Sequence, residues 1–328
     1  MFYLGIDVSK AKLDCCLLVD AEQLKRRSKS LANNASGIAE LITWVHKHGV
    51  ACDDLHVVME GTGAYHEQAA TALYDAAVQV SIVNPAQVRN FAKGLAVQNK
   101  TDAVDSFVLA RYGALLKPAT WSPPPVHARV LRSLLARRDA IAQDLQRERN
   151  RQEKAQACET PALVQQSLDQ GIAFLEKQLA QFEQDIDDHI DRHPDLKGDL
   201  TLLTSIPAVG PKVGHHMLSV MHCHHFESAE QLAAYVGLVP VQRQSGTSLM
   251  GRARLSKTGP AHIRAVLYMG AVVAIRCNPH IQALYERLLR SGKAKKSALG
   301  AAMRKLVHLC FGVLKNRQPY QADFAKNT

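Results

Sequence analysis

A chain of 328 residues with 47% hydrophobic content can bury the cores of about two domains. No apolar run reaches the roughly 18 residues of a membrane span and the start lacks a signal-peptide pattern, so a cytoplasmic protein with no membrane partner is expected. Of 40 Lys and Arg and 30 Asp and Glu, 16 and 2 lie from Pro240 onward, leaving 24 and 28 before it within a net charge of +10. A back this basic suits a polyanion, while the acidic front can concentrate cations; a basic surface kept only for solubility is the alternative. The 7 cysteines show no CxxC spacing and read as reduced thiols.

In chain order, residues 2–8 read as a short buried strand, apolar except for Asp7, followed by a second strand at 13–19. One carboxylate inside such a strand is expensive to bury unless something positive meets it. Residues 35–48 form an amphipathic helix with Ile38, Leu41, Ile42 and Val45 on one face. Residues 54–60 are a strand that ends on Glu60 at the exit Gly61-Thr62-Gly63; 64–77 follow as a helix and 78–83 as a strand closed by Asn84-Pro85. A helix over 102–116 carries Asp102 and Asp105 three apart, on one face. Paired opening strands, then strands alternating with helices, predict an α/β domain with a mixed sheet over 1–125. Four carboxylates from separate elements, Asp7, Glu60, Asp102 and Asp105, make the oxygen-rich setting that Mg²⁺ (or Mn²⁺) prefers for phosphodiester chemistry. A helix N-cap for Asp102 and a surface position for Asp105 are the structural alternatives.

Pro118, Pro123, Pro124 and Pro125 mark a rigid linker. Beyond it, over 126–195, Leu168, Ile172, Leu175, Leu179, Phe182 and Ile186 alternate by four and three, the seam of a helical coiled-coil hairpin. Val130, Leu134, Ile141 and Leu145 give its weaker first arm, and Pro194 closes the second. So few heptads predict packing against a second copy, with docking inside the chain as the alternative.

A mainly α-helical basic domain is expected over 196–328. Residues 203–214 resemble a helix-hairpin-helix turn, which aims backbone amides at a phosphate; a plain helix connection is the alternative. Ser228 N-caps a helix to Tyr235, and a long helix starts between Ser256 and Pro260. Between them lies a loop, Arg243-Gln244-Ser245-Gly246-Thr247-Ser248-Leu249-Met250-Gly251-Arg252-Ala253-Arg254. A serine beside glycine and among guanidinium groups suits attack on phosphorus, although spacing alone does not separate Ser245 from Thr247 or Ser248, nor a nucleophile from a phosphate grip. The cluster His215, His216, His222, Cys223, His224, His225 lacks two separated ligand pairs and is not read as a zinc site. Lys100, Lys212, Arg243, Arg252, Arg254, Lys257, Arg264, Lys293, Lys295, Lys296, Arg304 and Lys305 are the candidate nucleic-acid contacts.

Taken together, Gly5-Ile6-Asp7, Glu60-Gly61-Thr62-Gly63, the acids of 99–105, Ile206-Pro207 through Gly210, Ala234-Tyr235-Val236-Gly237-Leu238, Ser245-Gly246 and Ser256-Lys257-Thr258-Gly259 resemble the IS110 transposase family and the related Piv-type DNA invertases. The resemblance implies a RuvC-like, RNase H-type DEDD domain in which Asp7, Glu60, Asp102 and Asp105 bind Mg²⁺. It implies Ser245 as the nucleophile of a 5′-phosphoserine link to DNA, and a homo-oligomer (dimer or tetramer) around donor and target DNA. For the IS110 group it further implies a noncoding bridge RNA that chooses the site, in a prokaryotic, nucleoid-associated setting. Met250 stands before Gly251 where a basic residue is expected, so one phosphate contact is missing. A metal-only RuvC-like nuclease or junction resolvase, a Piv-type invertase, and a non-enzymatic nucleic-acid scaffold are the rival readings.

Overall fold

The first strand ends up in the middle of its sheet. The computed structural model describes residues 1–61, 63–95, 101–242, 244–245, 249–250 and 254–322, with 244–245 and 249–250 described by backbone alone. Two units emerge, Met1–Pro123 and Pro124–Thr328. The front unit runs β1 (Phe2–Val8), β2 (Lys12–Asp20), β3 (Lys25–Ala32), α1 (Ala35–Lys47), β4 (Leu55–Glu60), α2 (Glu67–Asp75), β5 (Gln79–Val83), α3 (Pro85–Gly94) and α4 (Asp102–Leu116). The strands order as β3-β2-β1-β4-β5, with β1 antiparallel to β2 and parallel to β4. Three antiparallel strands continued by two parallel ones is the RNase H-like arrangement.

The period of two along β1 sorts its side chains between two layers. Leu4, Ile6 and Val8 join the core that α1 and α2 complete with Ile38, Leu41, Ala69 and Leu73. Tyr3, Gly5 and Asp7 point to the other face, where α4 lies. Tyr3 packs with Ala110 of that helix. On β4, Val58 packs against Val108, Leu109 and Tyr112 of α4, so the face it shares with Glu60 is also the α4 face.

Two elements of the front unit escape the sequence reading. Strand β3 (Lys25-Arg26-Arg27-Ser28-Lys29-Ser30-Leu31-Ala32) is almost wholly exposed and has no apolar alternation; its positive charges suit an edge that must not pair further. Helix α3 follows a cap that was present in the sequence: Asn84 accepts from the Ala86 amide, with Pro85 in the first turn.

The second unit holds α5 (Val126–Gln156), α6 (Ala162–Asp191), α7 (Pro194–Thr204), α8 (Pro211–Cys223), α9 (Ala229–Tyr235), the two-residue strands β6 (Pro240–Val241), β7 (Gln244–Ser245), β8 (Leu249–Met250) and β9 (Arg254–Leu255), then α10 (Ala261–Cys277), α11 (Pro279–Arg290) and α12 (Lys295–Asn316). Helices α5 and α6 form the hairpin; on α5 Ile141 and Leu145 are buried as expected, but the first half of the stripe is shifted by one from the expected Val130 and Leu134. Leu131 and Leu135 are buried instead, and Val130 is 40% exposed. This end of α5 packs into one core shared with Ile186 and Ile190 of α6 and with Val213, Met217 and Val220 of α8, so two partners rather than one set its stripe. Helix α6 ends at Asp191, just short of Pro194, and Pro194 then opens α7 in its first turn, where its missing N–H costs nothing. Helix α12 is long and apolar enough to span a membrane, yet Leu306, Val307, Cys310 and Phe311 lie in the core of this unit.

Candidate active site

Gly5 determines where the acids go. A Cβ on Gly5 would stand 1.9 Å from the Ser106 carbonyl oxygen and 2.4 Å from the Ala110 amide nitrogen, so α4 crosses β1 at backbone contact. One turn further on, Gly113 lets α4 close on Val58 and Tyr3 in the same way. The N-terminal turn of α4 is thereby laid beside Asp7. Thr101 is the N-cap, its side chain accepting from the Val104 amide, which leaves Asp102 and Asp105 as first-turn acids facing away from capping duty.

The consequence is visible in the protonation of Asp7. Its carboxyl is raised from 3.8 to about 6, first by burial and then by the negative charges of Asp105, Asp102, Glu60 and Asp14. The charges of Glu60, Asp102 and Asp105, the other three acids named from sequence, are therefore all felt at Asp7. Asp14 makes a fifth: it is Asp7's partner across the β1–β2 ladder. The hairpin register that places it there was not legible until the length of β2 was known. Like charges directly opposite on a sheet are destabilising, so this cluster is kept at a cost to the fold.

Among the described residues no three His, Cys, Asp or Glu side chains close up into a ready-made metal cage. The donor set nonetheless fits a hard divalent cation: it is carboxylate oxygen throughout, and its negative charges help to raise the Asp7 carboxyl. Asp7, Glu60, Asp102 and Asp105 are the residues that would hold it.

In the second unit, strands β6 and β9 pair (Pro240 with Leu255, Val241 with Arg254) and form the neck of the serine loop. At its tip the backbone of Ser245 pairs with that of Leu249. Arg243, Gly246, Thr247, Ser248, Gly251 and Arg252 lie outside the described residues, as do Lys100 and the side chain of Ser245. The neck is braced from below. A Cβ on Gly259 would strike the Tyr235 carbonyl oxygen at 1.9 Å, and the Ser256 and Lys257 amides donate to the carbonyls of Val239 and Gly237. Arg264 belongs to this brace, since its guanidinium donates to the Val236 and Gly259 carbonyls. Arg304 donates to His308 Nε2 at 3.3 Å. Lys212, Arg254, Lys257, Lys293, Lys295, Lys296 and Lys305 are exposed.

The turn between α7 and α8 holds Ala208 at φ 79°, a conformation that disfavours any side chain with a Cβ. Asn278, fully buried, donates to the Pro207 carbonyl from behind. Helix α8 opens at Gly210 with no side-chain cap and Pro211 in its first turn. The histidines here pair within the protein. His216 Nε2 stands 3.0 Å from Arg138 Nη2 and 3.2 Å from Asp139 Oδ2, and His222 Nε2 is 2.9 Å from Asp199. His224 meets the Tyr235 hydroxyl at 2.7 Å; burial, then Arg132, pushes its imidazole down to about 4.

Comparison with known proteins agrees with this geometry. A transposase model of the IS110 DEDD type matches residues 4–155, and the model "Transposase IS116/IS110/IS902 family" matches 200–286. The pilin gene-inverting proteins of Moraxella lacunata and Moraxella bovis are 33% and 32% identical over 320 residues, in each case 97% of this chain and 97% of the relative. An insertion element IS110 protein of Streptomyces coelicolor is 26% identical over 49% of this chain and 38% of its own. The solved structure of T. thermophilus RuvC in complex with a Holliday junction substrate aligns over 37% of this chain and 100% of its own at 14% identity and a TM-score of 0.28, too low to add to what the strand order establishes. Matched in both of its halves and over nearly its full length, the chain belongs to the IS110 family of transposases.

Proposed function

We propose that this family member cuts and rejoins DNA strands through Ser245, with Asp7, Glu60, Asp102 and Asp105 holding Mg²⁺ (or Mn²⁺) beside the phosphodiester. The observation that carries this is the Asp7 carboxyl, raised to about 6 first by burial and then by the negative charges of Asp105, Asp102, Glu60 and Asp14. Like charges directly opposite on a sheet are destabilising, and strongly shifted carboxyls cluster at functional sites.

The chemistry balances without a nucleotide cofactor. The Ser245 hydroxyl attacks phosphorus, a 5′-phosphoserine ester forms and the 3′ oxygen leaves carrying a proton. The 3′ hydroxyl of another strand then attacks the ester, restoring the serine. Bound divalent metal would polarise the phosphate and neutralise charge on the transferring group. The carboxylates position that charge, and the exposed Arg254 and Lys257 near the neck grip the flanking backbone. Donor and target DNA, a noncoding bridge RNA and further copies of the chain in a dimer or tetramer complete the assembly.

A second reading is inversion of a DNA segment by the same chemistry. It is favoured by the full-length match to relatives named for inverting a pilin gene. One experiment addresses both. Labelled DNA spanning the gene's own flanks is incubated with Mg²⁺ and run on denaturing gels. Wild type should leave a protein–DNA adduct and Ser245→Ala none, while Asp105→Ala should lose cleavage altogether. Cleavage that survives Ser245→Ala but not Asp7→Ala would replace the serine mechanism with attack by water. Sequencing of the joined products then separates inversion from insertion.

A further inference from the structure

We infer that the pocket between α11, α12 and the segment after α12 receives a single unpaired nucleotide. This rests on the reading that the second unit binds nucleic acid and adds a site to it.

The segment after α12 folds back and is fixed at three points. The Tyr320 amide donates to Ser205 Oγ at 2.8 Å. Its hydroxyl meets Asn278 Oδ1 at 3.2 Å and His280 Nδ1 at 2.8 Å. Since Asn278 is fully buried and also holds the Pro207 carbonyl, this wall is as firm as the core behind it. Between the wall and α12 lies a cavity of about 210 Å³. It exceeds the ~150 Å³ engineered cavity that takes up benzene, and falls short of the ~300 Å³ at which drug-sized pockets begin. One flat heteroaromatic ring system is the match in size.

The lining narrows the class. The floor is apolar, with Leu309 and Val313, while the Tyr320 and His280 rings, packed edge to face with centroids 5.4 Å apart, add aromatic surface to the lining. Asn316 and Gln318 supply amide donors and acceptors of the kind that read base edges. Among the described residues no carboxylate lines the pocket, and Lys305 stands exposed at the rim, where the phosphate of a bound nucleotide would emerge. A base stacked inside a duplex cannot enter, so the ligand must be bulged, flipped or single-stranded.

The test uses the full chain and short duplexes, in DNA and in RNA, each fully paired or carrying one unpaired 2-aminopurine. Wild type should bind a bulged duplex about tenfold more tightly than its paired form, within the range one stacked base contributes, and should change the 2-aminopurine fluorescence. The arm showing the preference, DNA or RNA, identifies the source of the nucleotide. Lys305→Gln with Gln318→Ala, both exposed and away from the core, should erase the preference at unchanged melting temperature. Equal binding of bulged and paired duplexes by wild type, or a preference that survives the double substitution, overturns the pocket and leaves nucleic-acid binding by this unit intact. Failure to bind any duplex at low salt overturns both.

Discussion

Asp7 concentrates the argument at the scale of one residue, because its chemistry is opposed by its surroundings. With the folded-state carboxyl near 6 against an ordinary 3.8, the fold prefers the protonated acid. The stability gained from that proton is fully present at low pH and is lost as the pH rises from about 4 through 6. Asp7 is half-exposed, so solvent screening reduces the effect to about 1 kcal/mol. Asp7→Asn mimics the protonated form. In chelator at pH 8 it should melt above wild type, and the difference should vanish near pH 4; with Mg²⁺ the order should reverse, because only wild type gains from the cation. Calorimetry at the two pH values reads all of this, and a variant that melts lower in chelator at pH 8 would refute the crowded-acid account. Ala208 carries the other local expense. A left-handed alanine costs roughly 1–2 kcal/mol, whereas glycine gives back about 0.4–1 kcal/mol through the unfolded chain. Ala208→Gly should therefore stabilise the second unit by about 0.5–1 kcal/mol, seen as a higher urea midpoint.

At the scale of elements, the crossing of α4 over β1 is what converts sequence spacing into a site. Gly5→Ala would force Ser106 and Ala110 away from the strand, costing on the order of 1–3 kcal/mol by overpacking. It should also draw Asp102 and Asp105 back from Asp7. The expected outcome is a folded but less stable chain whose Asp7 carboxyl titrates closer to its ordinary value and whose Mg²⁺-dependent rise in melting temperature shrinks. An unchanged Asp7 titration, followed by NMR, would show that the glycine serves packing alone. The alternation in β1 made this face readable in advance, since Asp7 breaks an otherwise apolar strand. What stayed hidden follows from equally local physics. The β3 edge carries charge where a strand pattern expects apolar residues, and the first half of the α5 stripe is set by α8 together with its coiled-coil partner. Asp14 joins the acids only through a register that sequence does not announce. The charge of Arg264 was legible, but the two carbonyls to which its Nη1 donates were not.

Across the whole molecule, charge is divided rather than balanced: from Pro240 onward 16 cationic side chains face 2 acidic ones, while 24 face 28 before it. Such a division is useful to a protein that must hold a polyanion with one part and cations with another. The start of α12 shows that the basic residues are not placed for the fold's benefit. Lys295 and Lys296 open the helix, exposed, with Lys293 just before them, no acid in the first turn and no side-chain cap on Ala294. Positive charge at that end opposes the helix dipole by about 0.3–1 kcal/mol per residue. Lysines retained against the local field point to a partner that rewards them, and phosphate is the partner the rest of this unit suggests. Lys295→Gln with Lys296→Gln should therefore raise the melting temperature slightly while weakening nucleic-acid binding. If both lysines meet phosphates, the slope of log K against log salt should fall by about 2, close to one per contact. Titrations of paired DNA at several salt concentrations measure the slope. A double variant that gains stability with no loss of slope would assign these lysines to the solvent and move the phosphate contacts to the neck of the serine loop.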